Sequence, residues 1–221
     1  MQPVTTQKGA APESETRRRQ NRWGEGELLR GEIVTAARRL LERDGTEAMV
    51  TLRGVAREAD ISAPSIYPHF ANLGLLLEAV VAAALQELLD QMRAAIAELG
   101  EASSPRDRVR AYCRTYIEFG HRQPASYQIV FTRPHPSAMP QVRDAQYASF
   151  ATFLRDVAAV RPDWSHDETR RHGIGIWTAL HGLAILPPHH PRFEWPDTDL
   201  MLDNLLDLHL AAAPAALRPK S

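Results

Sequence analysis

Ser62, Ser65, Tyr67 and His69 stand close together in the chain and offer hydroxyl, phenol and imidazole groups. Such groups donate to and accept from phosphate oxygens and base edges. Just upstream, Thr51 and Arg53 put a hydroxyl and a guanidinium where a helix can begin. Helix N-termini bind anions well, because their first N–H groups have no partner inside the helix. The chemistry on offer is contact with a nucleic acid, not bond making. No G-x-S-x-G, H-E-x-x-H, G-x-G-x-x-G or phosphate loop occurs, so no enzyme is expected. Acids lie near histidines at 118–121 and 163–168, but charged helix ends carry such pairs routinely. His135, His166, His189 and His190 lack a pair at i, i+4 with an acidic partner, so neither a metal site nor a cofactor is expected.

Those side chains need two short helices around a turn. In TLRGVAREADISAPSIYPHF, residues 51–70, Leu52, Val55, Ala56 and Ala59 share one helical face. Asp60 and Ile61 make the turn. Ser62 can cap a second helix over 63–70, seated by Ile61, Ile66 and Phe70. Pro64 is harmless in its first turn, whereas Pro68 removes a backbone donor further in, so this helix must be short or end in a distorted turn. Thr51 caps the first helix. The spacing predicts a helix-turn-helix, whose second helix can enter a DNA major groove.

The bulk composition permits this and excludes other classes. The 221 residues are 44% hydrophobic with a formal net charge of -1, so a sizeable core is possible and a sequence-indifferent nucleic-acid coat is not. Of the 26 basic residues only Lys8 and Lys220 are lysines, and arginine favours bidentate contacts to phosphate or carboxylate. Cys113 is the sole cysteine, which fits a reducing, cytoplasmic setting and reads as inert packing. No apolar stretch is long enough for a membrane span, and no signal core is present at the N-terminus.

The fold class is all-α. Residues 1–24 read as a disordered arm bearing Arg17, Arg18, Arg19 and Arg22, which can reach phosphate or a minor groove. Residues 25–71 form the helix-turn-helix domain, with a first helix over 27–43 stopped by Asp44-Gly45. Residues 72–213 form a second helical domain, and 214–221 a loose tail. Asn72 caps a long helix over 73–99, about 40 Å in length. It is apolar almost all round in its first half, which makes it a connector. Further helices are expected over 105–122, 125–131, 141–160, 167–186 (ended by Pro187-Pro188) and 197–212, with a loop over 132–140.

Over residues 33–80 the pattern resembles the tetracycline-repressor (TetR) family: a helix ending in D-G, then T-L-R-x-V-A-x-x-A, then I-S-A-P-S-I-Y-P-H-F, then an amphipathic helix. Trp177, His181 and Gly182 resemble the W-x-x-x-H-G signature of one C-terminal subgroup. The resemblance implies an all-helical homodimer that binds a double-stranded DNA operator and a small-molecule effector. It places Thr51, Arg53, Tyr67 and His69 on phosphate and Ala63, Pro64 and Ser65 at base edges. Leu73 stands where the family often has a lysine, and Asp60 where many members have glycine. Ala63 and Pro64 offer apolar surface and Ser65 discriminates weakly, so direct base reading is thin and shape readout or the arginine arm is expected to contribute.

In the C-terminal helices Tyr116, Phe119, Tyr127, Phe131, Phe150, Phe153, Trp177 and His181 suit an apolar ligand pocket with polar handles. Each taken alone is more often plain core. The last two helices carry more apolar surface than one subunit needs, and the resemblance implies that they pair two copies. The expected function is a repressor released from a palindromic operator by a small hydrophobic ligand. A ligand-independent regulator and a helical binding protein are the alternatives.

Overall fold

In the computed structural model, residues 25–132 and 140–211 are described. The readings of the arginine arm, of most of the 132–140 loop with His135, and of the 214–221 tail fall outside the described residues.

Helix α1 (Glu25–Asp44) buries Ile33, Ala36, Ala37, Leu40 and Leu41 along one face and stops at Gly45, whose φ is 76°. That left-handed value is natural for glycine and ends the helix. A single 3-10 turn, Glu47–Met49, intervenes with Thr46 as its cap. Helix α2 (Leu52–Glu58) follows, with Val55 and Ala56 buried. It ends in a Schellman arrangement: the Ile61 N–H donates to Ala56 O at 2.9 Å and the Asp60 N–H to Arg57 O at 3.3 Å. Asp60 has φ of 53°, so the aspartate does take up the left-handed turn.

The expected helix over 63–70 is only a 3-10 segment, Ala63–Ile66, followed by turns. Pro68 is the reason, since it cannot donate the backbone hydrogen bond that would carry the helix onward. His69 and Phe70 N–H groups both converge on Ile66 O at 2.9 Å. Ser62 stands at the cap position but caps no backbone N–H, contrary to expectation. Its hydroxyl is taken by the Ser65 hydroxyl at 2.7 Å.

Asn72 Oδ1 accepts from the Leu75 N–H at 2.9 Å and starts α3 (Leu73–Glu98). Then come α4 (Pro105–Arg122), α5 (Pro124–Thr132), α6 (Pro140–Val160), α7 (His166–His189) and α8 (Thr198–Leu210). Among the described residues there is no strand. Ser104 and Asp107 form a capping box at α4, and Ser165 and Glu168 another at α7. Helix α4 is central, packed against α3, α5, α6, α7 and α8, and α1 rests on α3 and α5. One continuous apolar core runs from Ile33 to Leu210. Each fully buried Leu, Ile or Phe in it contributes about 1.5–3 kcal/mol.

Helix α7 does not stop at Pro187-Pro188 but continues through both to His189. The two prolines leave the carbonyls one turn back, Leu183 and Ala184, without helical donors. His121 Nε2 donates to Leu183 O at 2.8 Å. Against Ala184, α4 presents Gly120, where a Cβ would lie 3.0 Å from the carbonyl oxygen and 2.7 Å from the Ala184 Cβ. Glycine is needed there for α4 and α7 to approach. Arg110 fastens α8 to α4 through Asp203 at 2.6 Å and Asp199 at 3.1 Å, and Arg161 donates to the carbonyls of Leu210 and Ala211 where α8 ends.

Candidate nucleic-acid interface and ligand cavity

The N-terminal unit separates buried seating residues from the more exposed candidates for DNA contact. Ile66 and Phe70 are buried, and the Arg30 guanidinium lies 4.7 Å from the Phe70 ring centroid. Thr51, Arg53, Ser62, Pro64 and Tyr67 are exposed, and Ala63, Ser65 and His69 are half-buried. Thr51 accepts from the Gly54 N–H at 3.0 Å, which leaves its own hydroxyl proton free to donate outward. The Ser62–Ser65 pair likewise uses one hydroxyl proton internally and keeps one. All eight predicted contact residues therefore lie on one stretch with outward hydrogen-bonding capacity or apolar surface. Leu73 packs against the core instead of facing outward as a cation would.

A cavity of about 540 Å³ opens between the C-terminal helices. Helix α3 supplies Leu85, Leu88, Leu89 and Met92, α4 Tyr112 and Tyr116, and α5 Val130 and Phe131. From α6 come Arg143, Gln146, Tyr147, Ser149 and Phe150, and from α7 Arg170, Ile174 and Trp177. Its size and mostly apolar wall match small-molecule sites.

Tyr116 of the inner wall forms a ring of hydrogen bonds with Tyr127 and His181 behind it. Tyr127 donates to the Tyr116 oxygen at 3.2 Å, Tyr116 lies 3.0 Å from His181 Nε2, and His181 Nδ1 lies 2.5 Å from the Tyr127 oxygen. The Tyr116 oxygen also lies 3.3 Å from His181 Nδ1, so it sits between the two ring nitrogens. Burial keeps His181 neutral by lowering its pKa, and burial pushes both tyrosines up. Tyr112, also pushed up to about 12 by burial, shares a hydrogen bond with Ser149 at 3.1 Å.

The two regions meet at a polar joint. Glu42 of α1 accepts from the Ser126 N–H at 2.6 Å and the Ala125 N–H at 3.3 Å, so its carboxylate caps α5. Arg38 donates to Glu87 of α3 and to Gln123 at the α4–α5 corner, both at 2.5 Å. Gln123 in turn donates to Glu87 at 2.7 Å. Burial raises the Glu87 pKa, but the bonds from Arg38 and Gln123 outweigh it and hold the carboxyl below its ordinary value. Helix α5 thus carries Phe131 in the cavity wall at one end and the Glu42 contact at the other.

Two family descriptions match this chain. Residues 33–80 match the bacterial regulatory proteins of the tetR family, and residues 109–212 match the tetracyclin repressor-like C-terminal domain. The chain belongs to the TetR family. It is a DNA-binding transcriptional regulator. Solved structures share the fold at low identity. A Rhodococcus sp. RHA1 protein of unknown function is 22% identical, with a TM-score of 0.71 over 89% of this chain and 97% of that one. A tetR-family regulatory protein from Rhodococcus RHA1 is 19% identical, with a TM-score of 0.62 over 82% and 95%. The fatty acid degradation regulator FadR from Bacillus halodurans is 14% identical, with a TM-score of 0.63 over 86% and 97%.

In this TetR-family chain the eight aromatic candidates divide evenly. Tyr116, Phe131, Phe150 and Trp177 line the cavity. Tyr127 and His181 stand behind it in the ring, Phe153 stacks on Tyr112 at 5.0 Å, and Phe119 is fully buried. The α3 leucines and Met92, the cations Arg143 and Arg170, and the Glu42 joint went unforeseen. The leucine spacing is the same as that of plain core. Glu42 and Ser126 are far apart in sequence, so no local pattern announces their contact. Among the described residues no group of ligating side chains suits a metal, and no helix is long and apolar enough to cross a membrane.

Proposed function

We propose that the protein is a repressor released from a palindromic operator when a small hydrophobic ligand enters the cavity. The observation that carries this reading is the joint: α3 and α5 both line the cavity and both hold α1. A ligand pressing on Val130 and Phe131 would displace α5, and with it the Glu42 contact to the DNA-binding unit. It acts only through its differential affinity for the DNA-competent and released arrangements.

On DNA, Thr51, Arg53, Tyr67 and His69 hold phosphates, while Ala63, Pro64 and Ser65 face bases, with the arginine arm contributing where Leu73 does not. Two copies pair through α7 and α8, whose exposed Leu186, Leu200 and Leu208 supply apolar surface. Such a dimer reads two half-sites about 34–36 Å apart. In this reading residues 25–71 form the DNA-binding domain and 72–213 the ligand and dimer domain.

The test is operator affinity of the purified protein with and without fractions of cell extract. Relief of binding by a small molecule, abolished when Ile174→Trp fills the cavity, supports the reading. Operator binding that nothing relieves makes the protein a ligand-independent regulator.

A further inference from the structure

The polar groups along the cavity are unequally satisfied. At its inner side Tyr116 belongs to the ring with Tyr127 and His181, and Tyr112 and Ser149 bond each other. Of the two cations in the wall, Arg143 is engaged by Asp144 at 3.2 Å. Arg170 has no ion-pair partner among the described residues. It stands one turn before Ile174 and two before Trp177, on the same face of α7.

The acids near it in sequence are committed elsewhere. Asp163 pairs with Arg161 at 2.8 Å, and Glu168 caps α7 with Ser165 at 2.7 Å. No ion pair joins Arg170 to Asp167, one turn before it. No aspartate or glutamate lines the cavity. A cationic ligand would meet two guanidinium groups and no counter-charge. An uncharged one fills the apolar wall and can accept a hydrogen bond from Arg170 but brings no counter-charge. An anionic group beside Arg170 gains a charge-assisted hydrogen bond that the fold does not already supply.

We propose that the cavity binds an amphipathic anion, its apolar body against α3, α6 and α7 and its carboxylate, or a similar anionic group, on Arg170. The assignment rests on the ligand-released reading above but adds the chemical class of the ligand. Chain-like and ring-like bodies share this chemistry, so the test carries one of each.

Isothermal titration of the full chain at neutral pH compares decanoate with 1-decanol, and 2-naphthoate with 2-naphthol. At least one acid binds about tenfold or more tightly than its uncharged counterpart. Arg170→Gln removes that preference while the uncharged compound still binds, and Arg170→Lys restores part of it. Leu89→Trp weakens both members of the pair. Uncharged compounds binding as well as the acids, a preference that survives Arg170→Gln, or no binding by any of the four overturns the proposal. Operator release by an uncharged compound alone would also overturn it, while leaving the ligand-released reading standing. Acid binding that depends on Arg170 but never alters operator affinity would keep this site and defeat the release reading instead.

Discussion

Tyr67 and Tyr116 are the same side chain in opposite surroundings. Tyr67 is 58% exposed beside a 3-10 segment that Ile66 and Phe70 hold in place. Tyr116 is 2% exposed, tied to Tyr127 and His181, with its pKa raised by burial. In the DNA-binding unit, holding the shape and the proposed contact with DNA fall to different residues. Around the cavity the same residues do both. Substitutions should therefore separate affinity from stability in the first region and confound them in the second.

The largest expected effect is in the second region. Phe153→Ala removes a buried ring stacked on Tyr112 and should cost about 3–5 kcal/mol in urea unfolding. A cost near zero would mean that the cavity wall is not packed as described. Next comes Tyr127→Phe, which removes the hydroxyl that donates to Tyr116 and meets His181 Nδ1. Its expected cost is about 1–3 kcal/mol. A neutral result would show that the ring is not closed.

Acid should weaken the C-terminal helices through three histidines. Burial lowers the pKa of His181, of His172 (with Arg171 and Arg161 adding to it) and of His209 (with His172 adding) below 6.5. In the unfolded chain these histidines protonate near 6.5 and in the folded chain only at lower pH, so the unfolded state binds more protons between the two values. Stability is then fully present above that pH and falls as pH drops through the folded pKa values. Thermal melts taken down from neutral pH would show this as a falling midpoint. A midpoint that rises on acidification contradicts the buried, neutral state of these histidines. The smallest effect on stability is that of Tyr67→Phe, within about 0.5 kcal/mol. Operator affinity should nonetheless fall by a similar factor for all DNA sequences, since phosphate contacts position without specifying. A sequence-dependent loss would move Tyr67 to a base edge.

This contrast also explains what could be read in advance. Thr51 and Asp60 act within one short stretch, so the α2 cap and the turn follow from local spacing, whereas the expected Ser62 cap gave way to its bond with Ser65. Helices α1, α3, α4, α6 and α8 were legible in the same way, because periodicity and capping residues are local. Helix α7 was legible as far as residue 186 and its last turn was not: Pro187-Pro188 signals a stop, and the His121 bond to Leu183 O comes from another helix. The cavity drew its wall from five helices. Phe131 and Phe119 are both apolar aromatics, and nothing local says that one faces space and the other α4's buried side. Arg170 looked like any helix-start charge until its neighbours' partners were known.

The central claim is that residues 51–70 of two copies enter DNA as a matched pair. Hydroxyl-radical footprinting of the full chain on DNA from its own genomic neighbourhood tests it most directly. The account predicts two related protected half-sites, with centres about one helical turn or a multiple apart, both lost with Arg53→Ala or Tyr67→Phe at moderate salt. A footprint that survives both substitutions, or one without two-fold symmetry, would contradict it.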